Sequence, residues 1–391
     1  MHAENSSPQP TVDSRLYQAL NTVKDPELQR PLLELGMVQR AVLEPDGTAV
    51  VEVLLTISGC PLRSTIEHDL ESALTQVEGV QRVVVELGVM TPQQRQELKE
   101  RLGHTRSIPF ADPHSLTRVH AVVSGKGGVG KSSVTANLAA ALAARGRQVG
   151  VVDADIHGFS IPGLFSIHHG PTKVDDMILP AVVDVPETAR RDDGAAGCVK
   201  VISIGMFTDS STPVVWRGPL LDRAIEQFLA DVHFGDLDHL LLDLPPGTGD
   251  VAISVGQKLP RSKVLVVSTP QQAATGIAQR AGTVAAMTEQ TVAGVVENMS
   301  GMVMPDGSVL DIFGAGGGAQ IAASLSERLG YPVDVLGSVP LDMRLREAGD
   351  SGCPVVWSDP ESPAAQVLSK IAADLDGPRN LVGKSLGISP R

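Results

Sequence analysis

Apolar and polar positions follow two different rhythms along this chain, and the change of rhythm divides it. The first stretch mixes short elements. Leu16 to Val23 reads as a short helix that stops before Asp25-Pro26, and Ala49 to Thr56 reads as a strand. Arg63 to Val77 has helical spacing, and Gln81 to Leu87 is a second β-rich run. These elements predict a small α+β domain over residues 11–91. From Arg118 onward, compact apolar runs alternate with helical stretches: Val119–Val123, Val149–Val152, Val199–Ile204, Leu240–Leu244, Val264–Val267, Gly294–Val296 and Val335–Val339. Continuous apolar strands are buried on both faces, so this region predicts a mostly parallel sheet covered by helices, an α/β domain over 118–376. Residues 92–117 carry charge and then Pro109 and Pro113, which predicts a helix from Gln93 to Leu102 followed by a linker. Residues 1–10 are polar and Pro-containing, and residues 377–391 are rich in Gly, Pro, Ser and basic residues; they are expected to be a disordered N-terminus and a flexible tail.

Composition narrows the chemistry. Apolar residues make up 42% of the 391, but aromatics only 3%, so the core must be built from Val, Leu, Ile and Ala. The net charge of −13 argues against a nucleic-acid surface and against anionic lipid, both of which need clustered Lys and Arg. The N-terminus has no basic and apolar leader pattern, and no run of apolar residues is long enough to span a bilayer. The three cysteines, Cys60, Cys198 and Cys353, fit no disulfide framework, so a cytoplasmic location with reduced thiols is expected.

The first chemical signal follows the strand Val119–Ser124. Gly125-Lys126-Gly127-Gly128-Val129-Gly130-Lys131-Ser132 leads into a helix from Ser133 to Arg145, with Val134, Leu138, Ala141 and Leu142 on one face. This is G-x-x-x-x-G-K-[ST] in the strand–loop–helix setting that a phosphate loop requires. Glycines let the backbone wrap close to phosphate, and amides at a helix N-terminus supply positive potential. Lys131 adds a point charge, the Ser132 hydroxyl can ligate Mg²⁺, and residues 125–133 together make the ATP cradle.

Carboxylates complete it. Val149–Asp153 is a strand that leads into Asp153-Ala-Asp155, and His239–Asp243 is a second that ends in an acid. The carboxyl ends of parallel strands are where ligands sit. Asp153 is expected to support the magnesium shell, Asp155 to position the attacking water, and Asp243 to hold a Mg²⁺-bound water. Leu244-Pro-Pro-Gly-Thr-Gly-Asp250 is a switch-like loop able to sense the γ-phosphate.

The second loop residue, Lys126, makes the motif similar to the deviant Walker A pattern of the MinD, ParA and nitrogenase iron-protein class. That resemblance implies that Lys126 reaches across a homodimer to the partner's nucleotide, as an arginine finger would. It also implies that Asn298, in Glu297-Asn-Met-Ser300, contacts adenine.

Taken with Asp153-Ala-Asp-Ile-His-Gly158, Asp243–Asp250 and Ile312-Phe-Gly-Ala-Gly-Gly-Gly318, these motifs resemble the Mrp/ApbC family of iron–sulfur cluster carrier ATPases over roughly residues 115–375. Asp25-Pro-Glu27, Leu35-Gly-Met37 and Thr56-x-x-Gly-Cys60-Pro61 resemble the small iron–sulfur-assembly domain often fused ahead of it. The resemblance implies an ATP-hydrolysing homodimer that binds a [4Fe–4S] cluster and passes it to apo client proteins. It also implies a C-x-x-C pair shortly after Glu297–Ser300. Here that stretch reads Gly301-Met-Val-Met304-Pro-Asp-Gly307, without cysteine. Cys60, beside Pro61 and ahead of a predicted helix, is the remaining candidate thiol for a cluster. Two alternatives stay open: a MinD/ParA-like positioning ATPase, and an ATP-binding assembly adaptor with no cluster of its own. The amphipathic run Val367–Leu375 is too short and too poor in basic residues for a good membrane anchor.

Overall fold

The computed structural model describes residues 11–57, 62–103, 107–155, 158, 160–190, 197–207, 218–247, 250–271, 274–304 and 306–377. Cys60, residues 1–10 and nearly all of the expected tail lie outside them. The chain forms two compact units, one from residues up to 106 together with 171–180, the other from 107–170 with 181 onward.

The smaller unit contains β1 (Thr11–Val12), α1 (Ser14–Thr22), β2 (Val38–Leu43), β3 (Thr48–Leu55), α2 (Arg63–Leu74), β4 (Arg82–Val89) and α3 (Pro92–Leu102). Its sheet runs β1-β2-β3-β4, with β2–β3 antiparallel and β3–β4 parallel. β3 shows a period of two: Ala49, Val51, Val53 and Leu55 are buried and the residues between them only partly so. Ile66, Leu70 and Leu74 of α2 add one helical stripe to the same core. α3 starts at a capping box between Thr91 and Gln94 and stops at Gly103, whose φ of 65° is left-handed. Sequence pattern set this helix in a connecting region, yet its Leu98 is fully buried in the small core.

The larger unit contains β5 (Arg118–Ser124), α4 (Lys131–Ala144), β6 (Gln148–Asp153) and α5 (Ile161–Leu164). The hairpin β7 (Thr172–Val174) and β8 (Met177–Leu179) comes next in the chain but belongs to the smaller unit. The larger unit resumes with β9 (Ala181–Asp184), β10 (Cys198–Ser203), α6 (Gly218–Asp231), β11 (His239–Asp243), α7 (Asp250–Lys258), β12 (Lys263–Ser268) and α8 (Ala274–Met287). It ends with β13 (Thr291–Ser300), β14 (Met302–Val303), β15 (Val309–Leu310), α9 (Gly317–Leu329), β16 (Val335–Pro340), α10 (Met343–Asp350), α11 (Val355–Ser358) and α12 (Pro363–Leu375).

The eight-stranded sheet runs β16-β13-β12-β5-β11-β6-β10-β9. All of its pairs are parallel except β9 with β10. The expected parallel α/β sheet is thus present, with an antiparallel edge strand that the apolar pattern did not mark. β5 and β6 flank β11, so the phosphate loop and both acid-bearing strand ends emerge side by side. α4 is buried on nearly every side, with Val134, Leu138 and Leu142 fully enclosed. The amphipathic face of α12 also points inward: Ala364, Ala365, Leu368, Ile371 and Ala372 are fully buried in the same core. Burial of Leu368 and Ile371 is worth about 1.5–3 kcal/mol each, so that face is structural.

Candidate functional site

The loop after β5 turns through two left-handed glycines, Gly128 (φ 76°) and Gly130 (φ 77°), before α4 begins at Lys131. At Gly130 no side chain fits. A Cβ would lie 2.2 Å from Asn298 Nδ2, which donates to the Val129 carbonyl at 2.9 Å. Asn298 is therefore built into the loop wall. Its Oδ1 is buried with no hydrogen-bond partner among the described residues, so one acceptor stays available beside the loop. Asn298 is followed by Met299, which takes a φ of 59° where β13 pairs irregularly with β16.

Lys131 turns its ammonium to the acids. Nζ lies 2.7 Å from Asp243 Oδ2 and 3.6 Å from Asp155 Oδ2, with the side chain only 5% exposed. Asp243 is fully buried and accepts from Ser132 Oγ at 2.6 Å and from Thr135 Oγ1 at 2.8 Å. Thr135 Oγ1 also lies 2.9 Å from the Lys131 carbonyl, one turn back in the helix. Asp153 accepts from the Asp155 amide, the Ile161 amide and Ser203 Oγ at 3.2, 3.4 and 3.0 Å. Burial, and then the neighbouring Asp243 charge, push the Asp153 carboxyl up to about 7. Three buried carboxylates thus face one buried ammonium. Asp243 and the Ser132 hydroxyl it accepts from put two hard oxygens side by side at the start of α4, the donor type that a magnesium ion shared with phosphate takes.

Strand ends bring together every phosphate-loop and acidic candidate named from sequence. Lys126 is the exception in direction. Its Nζ donates to Gln271 Oε1 of the same chain, at the end of β12. Thr135 and Ser203 were missed by sequence reading. Thr135 could have been found, since it stands one helical turn after Lys131 and faces the same way. Ser203 closes β10 beside Asp153 in the parallel register, and only strand pairing reveals it.

The two described cysteines are poor thiolate candidates. Cys198 is buried, donates to Gln148 Oε1 at 2.9 Å, and is pushed up to about 11 by burial. Burial also raises Cys353. Among the described residues no group of three or more His, Cys, Asp or Glu could hold a metal by itself. In the described part no helix is long and apolar enough to cross a membrane.

Comparison with known proteins gives two family matches. Residues 115–376 match the ParA family, described as NUBPL iron-transfer P-loop NTPase, and residues 13–87 match an iron–sulfur cluster assembly protein family. The chain is 53% identical to the iron–sulfur cluster carrier protein of Mycobacterium tuberculosis over 97% of both chains. It is 41% identical to the carrier protein of Deinococcus radiodurans, over 94% of this chain and 95% of that one. Among solved structures, it is similar to a nucleotide-binding protein from Archaeoglobus fulgidus in complex with ADP. That similarity has 34% identity, a TM-score of 0.48, and coverage of 60% of this chain and 86% of the other.

Proposed function

Because the chain belongs to the ParA/NUBPL family of iron-transfer P-loop NTPases, we propose that it hydrolyses ATP to drive the loading and transfer of iron–sulfur clusters to apoproteins. Its role as an iron–sulfur cluster carrier rests on an identity to carrier proteins that runs through both domains. The roles of the individual side chains rest on the buried Lys131 ammonium held against Asp243 and Asp155 at the N-terminus of α4.

Lys131, the 125–133 amides and the α4 N-terminus bind the β and γ phosphates of ATP. Ser132 and Asp243 would hold Mg²⁺, with Asp153 behind them. Held there, the ion would supply positive charge against the phosphates. Asp155 accepts a hydrogen bond from the attacking water and aims its lone pair at phosphorus. The unpaired Asn298 Oδ1 accepts from the adenine amino group. Lys126 leaves Gln271 when two copies meet and supplies its charge to the partner's ATP, which makes the homodimer the hydrolytic unit. Cys60 is the remaining thiol for cargo, and a [4Fe–4S] cluster shared by two copies is the form it would take.

A second function, an assembly adaptor without its own cluster, is favoured by the raised Cys198 and Cys353 thiols. A positioning ATPase that inserts α12 into a membrane is disfavoured, since the apolar face of that helix is core. Two variants test the catalytic roles. Asp155→Asn should retain ATP binding and lose turnover, whereas Lys131→Ala should lose both. Turnover that survives in either variant sinks the assignment.

A further inference from the structure

The segment between β6 and β10 leaves the larger unit and returns to it, and both ends of this excursion are fastened to one carboxylate. Asp153 closes β6. Before the excursion, Ile161 at the start of α5 donates its amide to Asp153 Oδ2 at 3.4 Å. After it, β9 pairs antiparallel with β10, whose last residue, Ser203, donates to the same Oδ2 at 3.0 Å.

In between, residues 171–180 belong to the smaller unit. β7 and β8 pair antiparallel, Thr172 with Leu179 and Val174 with Met177, around Asp175 at a φ of 56°. Val174, Met177 and Leu179 are fully buried in the small core. Thr172 Oγ1 donates to Glu27 Oε1 at 2.5 Å. Glu27 in turn belongs to a tight turn in which Asp25 Oδ1 accepts the Glu27 and Leu28 amides at 2.9 and 2.8 Å. Two cations of α3 hold the hairpin turn: Arg95 lies 3.1 Å from Asp175, and Lys99 lies 2.8 Å from Asp176 and 3.5 Å from Asp175. Three fully buried apolar side chains and this polar frame make the hairpin part of the small fold, so it cannot slide as a passive loop.

We propose that residues 171–180 are the route by which occupancy of the nucleotide site is transmitted to the smaller unit. The inference rests on the ATP reading of Lys131, Asp153 and Asp243. Bound phosphate repels the Asp153 carboxylate, and its cation competes for the one oxygen, Oδ2, that now accepts from Ile161 and Ser203, so binding redistributes the bonds at both roots of the excursion. The hairpin carries that change to the Asp25–Glu27 turn through Thr172. By linkage the effect is reciprocal, and whatever engages that turn changes nucleotide affinity by the same factor.

Hydrogen exchange read by mass spectrometry on the full chain tests this, in the free protein and with Mg²⁺-ADP or Mg²⁺ and a non-hydrolysable ATP analogue. Nucleotide should protect the 125–140 segment and also change exchange over 171–180 and 23–35, by about fivefold or more. Asp175→Ala with Asp176→Ala should leave protection at 125–140 intact and shrink the response at 23–35. Thr172→Val gives the same test should the double variant fail to fold. Protection at 125–140 with unchanged exchange at 171–180 and 23–35 overturns the route alone. A full response in the variants overturns it too. No protection at 125–140 overturns the ATP reading, and the route with it.

Discussion

Replacing Lys131 by Met removes one ammonium and keeps most of the volume. At 2.7 Å, Coulomb attraction between Lys131 and Asp243 is about 6 kcal/mol at an effective dielectric of about 20. Desolvation of both groups offsets much of it. Breaking a buried pair by removing one partner still costs about 3–5 kcal/mol, because the other charge stays buried. Ser132 and Thr135 continue to donate to Asp243, which puts the expected loss near the lower end, about 3 kcal/mol at pH 8. The loss should shrink with acidification. Asp153 already sits at about 7, and Lys131→Met removes a charge that holds it down. A carboxyl raised in the folded state contributes stability that is complete below its unfolded value near 4 and is lost as pH rises through its folded value. The deficit of Lys131→Met relative to the parent should therefore grow between pH 6 and pH 8 and be smallest below pH 5. Denaturant unfolding of the nucleotide-free protein, followed by the fluorescence of buried Trp357 in the larger unit, reads this directly. A variant as stable as the parent at pH 8, or a loss independent of pH, refutes the view of Lys131 as the counter-charge of a buried acid cluster.

Three further outcomes are expected. Burial, opposed by the Thr172 hydrogen bond, pushes Glu27 up to about 7, so the smaller unit should lose stability as pH rises from about 4.5 through 7. Glu27→Gln, which still accepts from Thr172, should flatten that slope in urea titrations, and an unchanged slope would contradict the assignment. Gly130→Ala forces a side chain into left-handed backbone at about 1–2 kcal/mol and onto Asn298 Nδ2, so equilibrium titration should find nucleotide affinity down about tenfold or more. Asn298→Asp keeps the shape but replaces the amide that donates to Val129 with a carboxylate, and should weaken ATP binding. Binding equal to the parent would show that the Asn298 amide bond to Val129 does not shape the loop for nucleotide.

The larger unit was legible because its signals are local. Val264–Val267 and Leu240–Leu242 are continuous apolar runs, and a phosphate loop needs its residues in unbroken order. The acids at strand ends could be assigned because parallel strands all deliver their carboxyl ends to one side of a sheet. What escaped detection depends on pairing between distant segments. The strand β9 is four residues at a sheet edge, too short for a period. The β7–β8 hairpin, TKVDDMIL, looks like a loop in the larger domain. Only the core it shares with Leu98 and its bonds to Glu27 and the α3 cations show that it completes the smaller core. Ser203 gains its role from the register of β10 on β6, which no spacing within the chain encodes. The in-chain bond of Lys126 to Gln271 is likewise a tertiary fact.

The most direct test of cluster carriage driven by ATP is an anaerobic reconstitution of the full chain, with iron and sulfide counted and transfer to an apo acceptor followed with and without Mg²⁺-ATP. Stoichiometric iron and sulfide, loss of both in Cys60→Ala, and transfer that depends on ATP and on Lys131 are expected. A colourless protein that delivers nothing to the acceptor in either condition would contradict it.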